Sequence, residues 1–133
     1  KPILALKNAS EKMETGGRLV IVLNHPCFRI PRQSGWEIDE HTKTQKRWIN
    51  RYLSSLTIPI NMHPSKQNRG AVTWSFHFSL STLSISLQAA GFVIEKIEEL
   101  ASDKRSEGAA AAMENAAREE IPLFMSILCK KVK

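Results

Sequence analysis

Asn24 and His25 stand directly after the apolar run Leu19-Val20-Ile21-Val22-Leu23 and directly before Pro26. A histidine titrates near neutrality, so His25 can take a proton from a hydroxyl or an amine. His77, on the polar side of an alternating stretch, can do the same. Each also has a structural reading: His25 closes the Asn24-His25-Pro26 turn, and His77 is a hydrogen-bonded strand residue. Downstream, Arg29, Arg32, Arg47 and Arg51 are interleaved with Trp36, Trp48 and Tyr52. Cations mixed with aromatic faces suit an anionic or planar ligand, and also single-stranded nucleic acid. An amphipathic flap with its arginines in water has the same composition. The catalytic candidates are therefore His25 and His77, and the substrate-binding candidates are Asn24, Phe28, Arg29, Trp36, Arg47 and Tyr52. His41 and His63 lie in loops without such context. The spacing of the four histidines with Cys27 and Cys129 matches no zinc pattern, so no metal site is expected. Glu98, Glu99 and Asp103 read as a solvated strand end.

These residues need elements to position them. Ile3, Leu6 and Met13, with Ala5 and Ala9, lie near the spacing of one helix face, which predicts a helix over 3–14 closed by Gly16 and Gly17. The run 18–23 is short, β-branched and nearly continuous in apolar residues, as a parallel strand covered on both faces would be. A polar loop at the C-terminal end of such a strand is where α/β proteins usually keep their chemistry. Pro26 and Pro31 stop further pairing. Residues 46–60 read as extended strands rather than a short helix. Residues 72–78 alternate, which places Val72, Trp74, Phe76 and Phe78 toward a core and Thr73, Ser75 and His77 away from it. Ser79 is placed to cap a helix over 80–90, and Gly91 to end it. A strand over 92–100, a charged loop over 102–108, a helix over 109–120 and a buried strand over 123–129 complete the chain. A helix between strands 18–23 and 92–100 suits a parallel crossover, while the last pair of strands can be antiparallel.

The 133 residues, 42% hydrophobic and 24% charged, fit one domain with a modest core. No apolar run reaches the roughly 20 residues that span a bilayer, and no signal peptide is evident, so a cytoplasmic protein without membrane partners is expected. Two reduced thiols fit that compartment. The chain begins at Lys1 without a methionine and enters helical periodicity at once, as a fragment would. The net charge of +6 is uneven: residues 29–69 carry eight bases against three acids, and residues 95–120 eight acids against four bases. The basic stretch either meets an anionic partner or is a solvated surface. So long an insert, 24–70, is commonly a lid or binding region.

In this order the motifs resemble the C-terminal half of a class I S-adenosylmethionine-dependent methyltransferase, of the type 11 group. Gly16-Gly17-Arg18-Leu19-Val20-Ile21 is similar to that family's run into its fifth strand, with Thr15 in place of the usual proline. Ala89-Ala90-Gly91-Phe92-Val93-Ile94 is similar to its turn into the sixth strand, and Pro122 to Lys131 to its seventh. The resemblance covers nearly the whole chain. It implies an α/β fold: a partial Rossmann-like sheet of the fifth, sixth and seventh strands, the last antiparallel and lying between the other two, with a long insert after the first. It also implies S-adenosylmethionine as cofactor of the parent protein and a methyl-acceptor substrate. The family's glycine-rich cofactor loop and ribose-binding acid are absent, and the six glycines never form G-x-G, so this chain is expected to bind no cofactor tightly and to be inactive alone. An unpaired apolar edge on strand 18–23 is expected to drive self-association. The rival reading is a small basic nucleic-acid-binding or assembly module.

Overall fold

The computed structural model describes residues 2–61 and 72–133. His63, Pro64, Lys66, Arg69 and Gly70 of the expected insert lie outside the described residues. Three helices, α1 (Pro2–Glu11), α2 (Leu80–Ala89) and α3 (Ala111–Glu120), accompany seven strands. The strands are β1 (Arg18–Asn24), β2 (Ser34–Asp39), β3 (Thr44–Ile49), β4 (Leu56–Asn61), β5 (Val72–His77), β6 (Phe92–Leu100) and β7 (Phe124–Lys131). No helix among the described residues is long and apolar enough to cross a membrane.

The central sheet has the order β1-β7-β6. β7 is antiparallel to both neighbours, so β1 and β6 run in the same direction, and their carboxyl ends meet at one edge where Asn24 and Leu100 both align with Phe124. The core lies on one face of this sheet. Met125, Ile127 and Cys129 alternate inward along β7 and pack with Leu87 and Ala90 of α2, Phe92, and the half-buried Leu6, Leu19, Ile21 and Leu23. Burying Cys129 there pushes its thiol up.

β1 departs from expectation. It was read as covered on both faces, yet Val20 and Val22 are 62% and 65% exposed while Leu19, Ile21 and Leu23 turn inward. Among the described residues β1 pairs with β7 alone, and the core cluster packs against the side chains of Leu19, Ile21 and Leu23. Helix α1 stops at Glu11, short of the glycines; Gly16, at φ +88°, turns the chain into β1 and donates its N–H to the Lys131 carbonyl (2.8 Å). Lys131 is in β7, and its Nζ donates to the Ser10 carbonyl in the last turn of α1 and to the Met13 carbonyl just beyond it. A cation on carbonyls at the C-terminal end of a helix suits the helix dipole.

Between β1 and α2 the chain forms two separate ribbons, β2–β3 and β4–β5. The extended reading of 46–60 holds, although β3 and β4 pair outward with β2 and β5 rather than with each other. In β5 the expected faces are exchanged. Val72, Trp74 and Phe76 are more than half exposed, and His77 is buried. Alternation separates two faces but does not say which one meets the protein, and here β5 turns Ser75 and His77 inward, level with Ile58 and Leu56 of β4. Ser79 caps α2 by accepting the Thr82 N–H, and Gly91, at φ +86°, follows the helix as expected.

Candidate functional site

A cleft of about 650 Å³ opens at the carboxyl end of β1 and β6. Its apolar floor is Val22, Leu100 and Phe124, and its walls carry Arg29, Trp36, Arg47, Lys104 and Arg118. Asp103 is the acid among these lining residues. The position follows from the fold, since β1 and β6 deliver their C-terminal ends side by side, where ligands of α/β sheets bind.

The β2–β3 register places Trp36 opposite Arg47, so the guanidinium lies over the indole, 4.8 Å from its centroid. Arg47 Nε donates to the Phe28 carbonyl (2.7 Å) and an Nη to Ser34 Oγ (2.9 Å), which fixes the fork. Ser34 Oγ in turn donates to the Ile30 carbonyl and accepts the Ile30 N–H. Arg29 comes from the helical turn that follows β1 and lies over Phe124, 4.4 Å from the ring centroid. Burial and the neighbouring Arg29 charge both push the Arg47 pKa down. Asn24, Arg29, Ser34 and Arg47 also line a second recess of about 370 Å³, so the two arginines are a wall shared by both cavities.

His25 sits one residue beyond the cleft edge and is 3% exposed. Its backbone N–H extends the β1–β7 ladder to the Leu123 carbonyl. The Cys27 N–H donates to His25 Nδ1 (3.1 Å), so the ring proton resides on Nε2, which donates to Glu99 Oε1 (2.8 Å). Both ring nitrogens are thereby engaged, and the ring packs against Phe28 at 4.7 Å. His77, 4% exposed, donates from Nε2 to the Tyr52 carbonyl (2.8 Å). The Tyr52 hydroxyl accepts the Leu80 N–H at the start of α2 (3.1 Å), and burial pushes the phenol up.

Of the residues singled out in the sequence, Arg29, Trp36 and Arg47 meet in the cleft, and Asn24 meets the arginines in the second recess. Phe28 supports them through its carbonyl. His25, His77, Tyr52 and Phe28 line neither cavity. Glu99, Lys104, Arg118 and Phe124 were not singled out as site residues. Glu99 reads in sequence as a solvated strand end, and only the pairing of β1 and β6 through β7 brings its carboxylate to His25.

No family model matches the sequence, and no curated protein matches it. Among solved structures, a protein of Listeria monocytogenes described as an S-adenosylmethionine-dependent methyltransferase superposes with a TM-score of 0.70 at 18% identity, over 100% of this chain. An S-adenosylmethionine-dependent methyltransferase of Mesorhizobium loti gives a TM-score of 0.67 at 22% identity, over 98% of this chain. The chain has a methyltransferase fold. It spans 55% of the length of each of those proteins. Among the described residues, the glycines do not form a loop of the kind that cradles such a cofactor. A phosphate- or carboxylate-cradling loop needs glycines whose missing side chains make room for the ligand. Here Gly17, Gly35 and Gly91 face protein atoms within 3.1 Å of where a Cβ would be, and Gly16 and Gly108 face open space at single turns. Gly35 serves Trp48, whose indole lies over it.

Proposed function

We propose that this chain is the C-terminal, substrate-side part of an S-adenosylmethionine-dependent methyltransferase, inactive by itself. The observation that carries this reading is that its whole length superposes on about half of two such proteins. In this reading β1, β6 and β7 are the family's fifth, sixth and seventh strands, and residues 1–133 are one domain of a longer cytoplasmic protein. Residues 24–70 are then an insert that walls or lids the acceptor pocket. The cofactor binds the part of the protein that this chain lacks, and no transfer step is assigned to the residues here.

Their role is to hold the acceptor. Trp36, Arg29 and Arg47 form its wall, with Asn24 beside them. Phe28 fixes Arg47, while His77 and Tyr52 position the loop of residues 50–55 against the start of α2. His25 is the candidate base; to receive an acceptor proton its Nδ1 must release the Cys27 N–H, with Glu99 holding the opposite side of the ring. Self-association through the unpaired edge of β1 belongs to the same reading, because that edge then faces the missing part.

Calorimetric titration of S-adenosylmethionine tests the assignment. This chain alone is expected to bind it weakly or not at all, and the longer protein to bind it. Tight binding by the chain alone overturns the division into halves; absence of binding by the longer protein overturns the methyltransferase reading. The rival, a basic nucleic-acid-binding or assembly module, draws on the same uncompensated arginines. It requires affinity for an oligonucleotide that falls with salt at a slope of about −0.7 per phosphate neutralised on a single strand.

A further inference from the structure

Arg29 and Arg47 line the same two cavities, and burial together with the Arg29 charge lowers the Arg47 pKa. Among the described residues neither takes part in an ion pair with a carboxylate. Two like charges brought together beside a partly dry cavity repel each other, and the fold here spends side chains to hold them so. Arg47 is pinned by the Phe28 carbonyl, Ser34 and the Trp36 face, and Arg29 is parked on Phe124. The hydrogen bonds to Arg47 use Nε and one Nη hydrogen, which leaves N–H donors on its other Nη and all those of Arg29 for a ligand. The adjoining floor of Val22, Leu100 and Phe124 is apolar, and a cleft of about 650 Å³ has the size of a small-molecule site.

We propose that Arg29 and Arg47 clamp the oxyanion of a small organic acid whose apolar or planar body lies on Val22, Leu100 and Phe124. This deepens the acceptor-site reading and rests on it: the methyl acceptor is an organic anion, carrying a carboxylate or a phosphate monoester. The geometry favours such a ligand over a polyanion, because the two arginines line the same two cavities and the surface next to them is apolar. A nucleic acid needs its cations spread along a track. Arg118, already engaged by Ser106 and Glu114, lies across the cleft and adds to the positive field without competing for the anion.

The test is calorimetry of this chain with benzoate, phenyl phosphate, benzamide and a dT oligonucleotide, with binding sites located by NMR shifts of the arginine Nε and tryptophan indole signals. One of the two aromatic anions is expected to bind at least about tenfold more tightly than neutral benzamide, as charge-assisted hydrogen bonds require. Which of the two binds better separates carboxylate from phosphate. Arg29→Gln is expected to lose at least about tenfold in that affinity, Arg29→Lys to recover part of it, and Lys96→Gln to change nothing. Circular dichroism on each variant separates lost binding from lost folding, and Arg29→Lys keeps the test decisive if Arg29→Gln does not fold. Equal binding of benzamide and benzoate, an unaffected Arg29→Gln, or tighter binding of the oligonucleotide with shifts spread beyond the cleft overturns the proposal. Its failure is distinct from that of the methyltransferase reading, since cofactor binding by the longer protein is measured separately.

Discussion

Replacing His25 by alanine tests whether this residue is a structural keystone of the site edge. The ring is 3% exposed and packs on Phe28, so its removal leaves a hole whose cost resembles that of truncating a partly polar core side chain, about 2 kcal/mol at the low end of the core series. The Cys27 N–H loses its acceptor, which adds roughly 1 kcal/mol. The bond to Glu99 adds little, because that carboxylate is 59% exposed and regains water. The total is about 3 kcal/mol. With an unfolding entropy of about 2.1 cal/mol/K per residue, that is a fall in Tm of roughly 10 °C for a chain of 133 residues. His25→Asn is expected to recover about 1 kcal/mol of it, since the Asn Oδ1 can stand in for Nδ1 and accept the Cys27 N–H. Glu99→Gln is expected to cost well under 1 kcal/mol. Scanning calorimetry of the three variants measures all of this. A Tm loss under about 2 °C for His25→Ala, or a Glu99→Gln loss as large as the His25→Ala loss, refutes the reasoning.

Three further outcomes are expected. The unpaired edge of β1, with Val20 and Val22 exposed beside it, should make the chain associate at high concentration, and Val22→Lys should reduce this; strict monomers by light scattering in both proteins would count against it. Lys46 and the Thr42 N–H hold the Asp39 carboxyl well below the ordinary carboxylate range. A depressed carboxylate stabilises the fold above its unfolded pKa of about 3.9 and loses that contribution as the pH falls through its lower native value. The near-ultraviolet signal of Trp36 and Trp48 on the β2–β3 ribbon should therefore hold down to about pH 4 and weaken only in stronger acid; in Asp39→Asn the acid-dependent part should be absent. Lys131→Met should cost about 1–2 kcal/mol by freeing the carbonyls at the end of α1, read by thermal unfolding.

Much of the fold was legible because local signals and tertiary structure agreed. Ser79 and Gly91 bracket α2 as their chemistry requires, and the apolar runs at 18–23, 92–100 and 123–129 became the three strands of the central sheet. Burial was less legible. Val20, Val22, Trp74 and Phe76 carry the composition of covered residues, yet the surfaces that would cover them are not supplied by the described residues. A sequence records that a face is apolar, not which partner meets it. In the candidate site, the mixture of arginine and tryptophan marked a segment that lines the cleft, but the register alone selects Trp36 with Arg47 and leaves Trp48 over Gly35. Glu99 and Arg118 had no local signature, because their place in the site comes from β6–β7 pairing and from how α3 sits by the cleft.

The position of β7 has a consequence for how the chain is made. β1 and β6 share no hydrogen bonds; each reaches the other only through β7, whose Lys130 pairs with Arg18 across more than a hundred residues of sequence. In synthesis β1 precedes β7 by about a hundred residues, so its pairing with β7 must wait until β7 has been made. The ribbons and α2 are built from near-neighbour contacts and can form before β7 is made, while β1, β6 and β7 join only once it is. Shortening β7 by a few residues from its end would therefore take away the partners of Arg18, Leu19 and Val20, even though every residue of β1 remained intact.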